Sequence, residues 1–100
     1  MIKCHISIPP VHPGTILRLD ILPAIKMSKV DIAKILGVSR QTLYDILNER
    51  QPVTAEMAVR LGKLFGNGAR FWINLQRAYD LAIAEQTVDV SDIPTLEPAR

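Results

Sequence analysis

The side chains best equipped for chemistry crowd into one short stretch. Arg40, Gln41 and Thr42 follow one another, and Tyr44, Asp45 and Asn48 come soon after. A guanidinium presents a planar fork of donors, and a Gln amide sets donors beside an acceptor. Both suit a flat partner with paired hydrogen-bonding groups along its edge. Bond-making chemistry has no comparable set. His5 and His12 lie in a proline-rich terminal segment, with no Ser/His/Asp or Cys/His arrangement on a helical frame. Asp20, Asp31, Asp45, Glu49 and Glu56 are scattered over helix surfaces and read as solvated charges. Cys4, His5 and His12 fit no structural zinc spacing, and no glycine loop is of the phosphate-cradling kind. The expected chemistry is recognition, without enzyme activity, cofactor or metal.

Local signals define the elements that must position this stretch. Ser39 is placed to cap a third helix whose apolar positions are Leu43, Ile46 and Leu47, and Pro52 prevents its extension. Before it, Ser28 opens a second helix by capping the amide of Asp31; Ile32, Ala33, Ile35 and Leu36 face inward, and Gly37 stops it. His12-Pro13-Gly14 opens a first helix with Ile16, Leu17, Ile21 and Leu22 on its buried face. Pro23 disfavours helical geometry at Leu22, so that helix is short. Thr54 caps a fourth helix that buries Met57, Ala58, Leu61, Leu64 and Phe65 and stops at Gly66. A longer fifth helix spans roughly 69–86.

Residues 29–48 meet the steric conditions of a helix-turn-helix together. Ala33 supplies the small residue where the two helices cross, and Gly37, four residues on, permits the left-handed turn. Ile32, Leu36, Val38, Leu43 and Ile46 plug the angle between them. An ordinary helical corner has no need of an exposed Arg-Gln-Thr triplet on its first turn. In a major groove that turn meets base edges, where Arg40 matches guanine and Gln41 adenine. Thr42 and Tyr44 suit a thymine methyl or a phosphate, and Ser39 and Thr42 the backbone. Lys29, Lys34, Asn48, Arg50 and Gln51 are placed to hold phosphates at the edges. Asp45 repels phosphate; it either accepts from a cytosine amine or orients Arg40.

One hundred residues with 48% apolar content make one domain with a real core. A single cysteine forbids an internal disulfide, no basic-then-apolar leader opens the chain, and charges interrupt every apolar run; the cytoplasm is expected, with no membrane partner. The net charge of +2 conceals an asymmetry. Residues 1–79 hold eleven Lys/Arg against five Asp/Glu, whereas 80–100 hold one against five. A basic body can meet a polyanion while the acidic tail meets something else. The expected organisation is an N-terminal segment at 1–12, with strand-like alternation over 2–8, a DNA-binding and dimerisation domain at 13–86, and an extended acidic tail at 87–100.

The fifth helix carries more apolar surface than a lone small domain needs. Trp72, Leu75, Tyr79 and Ala82 form one stripe, and Phe71, Ala78 and Leu81 a second. The second stripe is expected to pack on a twofold-related copy. Two recognition helices then bind an inverted repeat with half-sites about one helical turn apart.

The run His12-Pro13-Gly14-Thr15-Ile16-Leu17 resembles the opening of HigA-type antitoxins, the virulence-associated protein I family of the Xre/Cro class. The likeness continues through Ala33, Leu36-Gly37-Val38-Ser39-Arg40, Leu43, Ile46-Leu47-Asn48 and Arg50, then Pro52–Ala58 and Arg60-Leu61. It ends with Phe71-Trp72, Asn74-Leu75-Gln76 and Tyr79-Asp80-Leu81, so that about 75 of 100 residues are covered. It implies an all-α, five-helix, lambda-repressor-like domain in a dimer that represses its own operon. It further implies a HigB-type toxin partner, a small messenger-RNA endonuclease of the RelE kind. Four positions depart from the family. Thr15 replaces a usual Glu, and Gly68-Ala69-Arg70 stands where Ser-Pro-Glu commonly opens the fifth helix. Arg70 thereby puts a cation at a positive helix end. Two further functions stay open here: a stand-alone Xre-family regulator without a toxin, and a helical interaction adaptor whose helix-turn-helix is vestigial. Toxin contact is expected away from the recognition helix, on the N-terminal segment, the first helix or the tail.

Overall fold

Each small hydroxyl residue at a helix start is used as a cap. In the computed structural model, which describes residues 11–98, Ser28, Ser39 and Thr54 accept from the amides of Asp31, Thr42 and Met57. Each such cap stabilises its helix by about 1 kcal/mol. The helices they open are α2 (Lys29–Leu36), α3 (Arg40–Leu47) and α4 (Ala55–Phe65); α1 (Pro13–Ile16) precedes them and α5 (Ala69–Thr87) follows. The described residues contain no strand, and the strand-like alternation at 2–8 lies outside them. Beyond α5 the chain is extended to residue 98, broken by one turn in which the Ile93 amide donates to the Val90 carbonyl.

The start of the fold departs from the sequence reading in two respects. Leu22 keeps helical dihedrals (φ −63°, ψ −38°) despite the proline after it. Following α1, the chain widens into a π turn at Leu17–Ile21, and the Leu22 amide donates to the Leu17 carbonyl. A 3₁₀ turn at Leu22–Ala24 then takes Pro23 into its first residues, where a missing N–H costs nothing. The second difference is His12, which is only 3% exposed. Its Nδ1 accepts from the Gly14 amide at 2.9 Å, so it caps α1, and its ring stands edge-on to Tyr79.

The core gathers Leu17, Ile32, Ala33, Leu36, Leu43, Ile46, Leu47, Val53, Leu61 and Trp72, with Leu22, Met57 and Ala58. Burying each large member stabilises the fold by about 1.5–3 kcal/mol. Ile35 is a correction: it is 56% exposed. At 100° per residue it falls well away from the arc of Ile32, Ala33 and Leu36. Ile16, Ile21, Leu64 and Phe65, read as buried, are half-buried at the margin. Two glycines let backbones touch. A Cβ on Gly14 would stand 1.9 Å from the Ile46 carbonyl oxygen of α3, and one on Gly62 2.3 Å from the Ala69 amide nitrogen. Thus α1 presses on α3, and α4 on the start of α5.

Candidate nucleic-acid interface

The turn between α2 and α3 is built as its sequence requires. Gly37 adopts φ 75°, ψ 29°, a left-handed conformation that penalises any residue with a Cβ. Its amide donates to Lys34, and Val38 donates to Ala33, closing the C-terminal end of α2. Ala33, 1% exposed, lies in the crossing. Arg60 on α4 completes the joint: its guanidinium donates to the Leu36 carbonyl at 2.7 Å and is itself held by Glu56. The sequence does not announce that backbone capping, because its partner is 24 residues away; the i, i+4 pair with Glu56 is the local sign.

With Leu43, Ile46 and Leu47 committed to the core, the rest of α3 faces outward. Arg40, Gln41, Tyr44 and Asn48 are exposed, while Thr42 and Asp45 are half-buried. Lys29 approaches the Tyr44 ring at 6.0 Å from its centre. Ser39, Thr42 and Gln51 line one cleft, joined there by Thr54, which the sequence marked only as a cap. Ser39 donates its hydroxyl proton to Thr42 Oγ1 and accepts from the Thr42 amide. Lys34 and Arg50 are exposed at the flanks.

Asp45 corrects one of the two roles left open for it. It accepts from Gln41 Nε2 at 2.8 Å and lies 3.9 Å from an Arg50 guanidinium nitrogen; Arg40 is not among its partners. The carboxylate therefore orders Gln41 and Arg50. Glu49 is likewise more than a solvated charge. It holds φ 62°, uncommon for a residue with a side chain, accepts from the Thr15 hydroxyl at 3.0 Å and lies 3.8 Å from Arg18. Arg18, in the π turn that follows α1, also donates to the Leu47 carbonyl, so this turn grips the C-terminal end of α3. A Glu in place of Thr15 would face Glu49 directly.

On α5, Trp72 is wholly buried, with Nε1 donating to Asn67. Gln76, also buried, accepts from the Val53 amide at 2.7 Å and donates to Asp80. Leu75, Tyr79 and Ala82 are half-buried, so the first stripe packs inward. Phe71, Ala78 and Leu81 are exposed, the last at 60%. Gly68 precedes α5 without any side-chain cap, as the missing Ser implied. Among the described residues no three His, Cys, Asp or Glu side chains converge as metal ligands. Cys4 and His5 lie outside those residues, and His12 has Nδ1 committed to capping. No described helix is long and apolar enough to cross a membrane.

With this geometry established, known proteins offer a direct comparison. A family model described as helix-turn-helix matches residues 21–72. Virulence-associated protein I of Dichelobacter nodosus is 43% identical over 80 residues, which is 80% of this chain and 74% of that protein. An HTH-type transcriptional regulator of Haemophilus influenzae is 40% identical over 72 residues, covering 72% and 67%. Among solved structures, the Pseudomonas aeruginosa antitoxin HigA with the higBA promoter is 40% identical and superposes with a TM-score of 0.79 over 89% of this chain and 97% of that one.

Proposed function

The chain belongs to the helix-turn-helix family, on its HigA-type, virulence-associated branch, and from that premise we propose that it is a homodimeric repressor that binds operator DNA through α3. The observation carrying this is the outward face of α3. Its exposed Arg, Gln, Tyr and Asn have no part in the core, on a helix fixed by cap, crossing and turn. Arg40 and Gln41 read base edges. Ser39, Thr42, Tyr44 and Asn48 contact base edges or backbone, and Lys29, Lys34, Arg50 and Gln51 hold phosphates. Asp45 keeps Gln41 in register. A related antitoxin solved with promoter DNA supports the same use of the fold.

Two copies pair through Phe71, Ala78 and Leu81, so that an inverted repeat is read twice. The domain runs from 13 to 86, between an N-terminal segment and the tail, and works in the cytoplasm. The partner of the dimer is a HigB-type toxin, a messenger-RNA endonuclease, met on a surface away from α3. A stand-alone regulator is the second reading, favoured by the relative from Haemophilus influenzae named as a transcriptional regulator. An adjacent small basic reading frame of about 90–110 codons is expected for the first reading and not the second.

Fluorescence anisotropy on the protein's own promoter tests the DNA assignment. Arg40→Ala and Gln41→Ala should each cost about 1–3 kcal/mol per subunit, with circular dichroism and sedimentation unchanged. Affinity should also fall steeply with salt as Lys and Arg displace counterions. Binding indifferent to scrambling the repeat at fixed salt would reduce the protein to a non-specific polycation.

A further inference from the structure

A shallow groove of about 390 Å³ runs between α4 and α5, with Ala58 and Val59 on one wall and Ile73 and Asn74 on the other. Arg70 and Arg77 stand on its rim, both exposed. Among the described residues neither makes an ion pair. Arg70 lies in the first turn of α5, where the helix already presents positive charge, so an anion is wanted there. Arg70, Asn74, Arg77 and Leu81 follow one another at helical spacing, which makes the groove continuous with the exposed stripe of α5.

The tail has the complementary character. From Val88 to Pro98 it carries Asp89, Asp92 and Glu97 and no Lys or Arg. Val88, Val90, Ile93 and Leu96 alternate with these acids and are 57–83% exposed. Its backbone leaves α5 extended, with Val88 at φ −91°, ψ 122°. Such a segment fits a groove with an apolar floor and a cationic rim.

Symmetry decides whose groove it is. The groove flanks the N-terminal part of α5, and the tail departs from the other end. A parallel pairing of two α5 helices would set Arg70 against Arg70 and Arg77 against Arg77. An antiparallel pairing, with Phe71 near Leu81 of the second copy, separates these cations and carries the second copy's tail to the first copy's groove. We propose that the acidic tail of each protomer lies across the α4–α5 groove of the other, its acids on Arg70 and Arg77. This rests on the α5 dimer proposed above. It gives Arg70, out of place for its helix, a partner, and it assigns the tail to self-association in preference to the toxin.

Cross-linking of full-length protein in a Cys4→Ser background tests the crossing. Val59→Cys, on the α4 wall of the groove, and Val90→Cys proteins, mixed and oxidised, should yield a disulfide joining one chain of each kind, and the doubly substituted chain should yield no internal loop. An internal loop, or no disulfide at all, overturns the proposal provided that Leu81→Glu still dissociates the dimer in sedimentation. If Leu81→Glu leaves the dimer intact, it is the dimer reading that has failed. Charge reversal gives a second readout. Arg70→Glu with Arg77→Glu should raise the dimer dissociation constant about tenfold, as should Asp89→Lys with Asp92→Lys, through surface pairs counted twice by symmetry. Combining both sets should restore it to within about threefold. Additive losses would refute the pairing, as would a tail reversal that abolishes toxin neutralisation without altering the dimer.

Discussion

Replacing Gly14 by alanine puts a general rule in direct opposition to a specific contact. In a helix, Gly→Ala ordinarily stabilises by about 0.5–1 kcal/mol, because glycine loses more backbone freedom on folding. Here the added methyl would stand 1.9 Å from the Ile46 carbonyl oxygen and 2.9 Å from its carbonyl carbon. An ordinary carbon–oxygen contact needs a little over 3 Å, so α1 must withdraw from α3 by more than about 1 Å. No rotamer relieves the clash, since the obstacle is backbone. Withdrawal also stretches the Thr15 bond to Glu49, just beyond α3, and the bond of Arg18, in the π turn after α1, to Leu47. Overpacking costs about 1–3 kcal/mol, and an immovable wall places this case at the upper end, about 3 kcal/mol net destabilisation. For a domain of this size that lowers the melting temperature by more than about 10 °C. Urea unfolding followed by circular dichroism at one fixed protein concentration measures it. Gly66→Ala is the control: φ is 76° but nothing lies within 4 Å, so only the backbone penalty of about 1–2 kcal/mol applies. A Gly14→Ala protein as stable as the parent would refute the α1–α3 contact.

Three further outcomes follow from groups that reach across the chain. Arg60→Met keeps the aliphatic stem but uncaps the Leu36 carbonyl, and should cost about 1–2 kcal/mol in urea unfolding. Gln76→Leu leaves the buried Val53 amide without an acceptor and should cost about 1–3 kcal/mol, whereas a substitution at exposed Asn74 should stay within about 0.5 kcal/mol. The His12 imidazole is pushed below its usual value of 6.5 by burial, which outweighs the pull of Glu49 and Asp80. The unfolded chain therefore binds the proton first: stability is full above pH 6.5 and declines as the pH falls below it. His12→Asn, which can still cap α1, should remove that part of the pH dependence below 6.5 in unfolding curves taken at several pH values.

The parts legible in the sequence are those whose physics is local. Ser28, Ser39 and Thr54 each act on an amide three residues on, and Gly37 and Gly66 adopt their left-handed dihedrals at the positions where each periodic run ends. Such features need no knowledge of the rest of the chain, and neither does the outward set on α3, which is what remains once Leu43, Ile46 and Leu47 are assigned inward. Arg18, Arg60 and Gln76 escaped because what each of them satisfies lies elsewhere in the fold. Arg18 answers the Leu47 carbonyl 29 residues on, and Gln76 the Val53 amide 23 residues back. Their residue types announce only surface charge or helix polarity. Ile35 shows the converse: it is an apolar residue within an apolar run, yet its angular position puts it outside.

Asp45 holds Gln41 with one oxygen and keeps Arg50 near the same atom. A lineage that replaced Gln41 by an apolar side chain would strand a carboxylate with a single distant cation on the face proposed to meet DNA. Replacing Asp45 first would instead release the Gln41 amide to swing freely. Neither single step is neutral, so the two positions are epistatic. Under the proposed DNA reading, a change of operator preference at this point of the helix has to pass through a less fit intermediate or alter both residues at once.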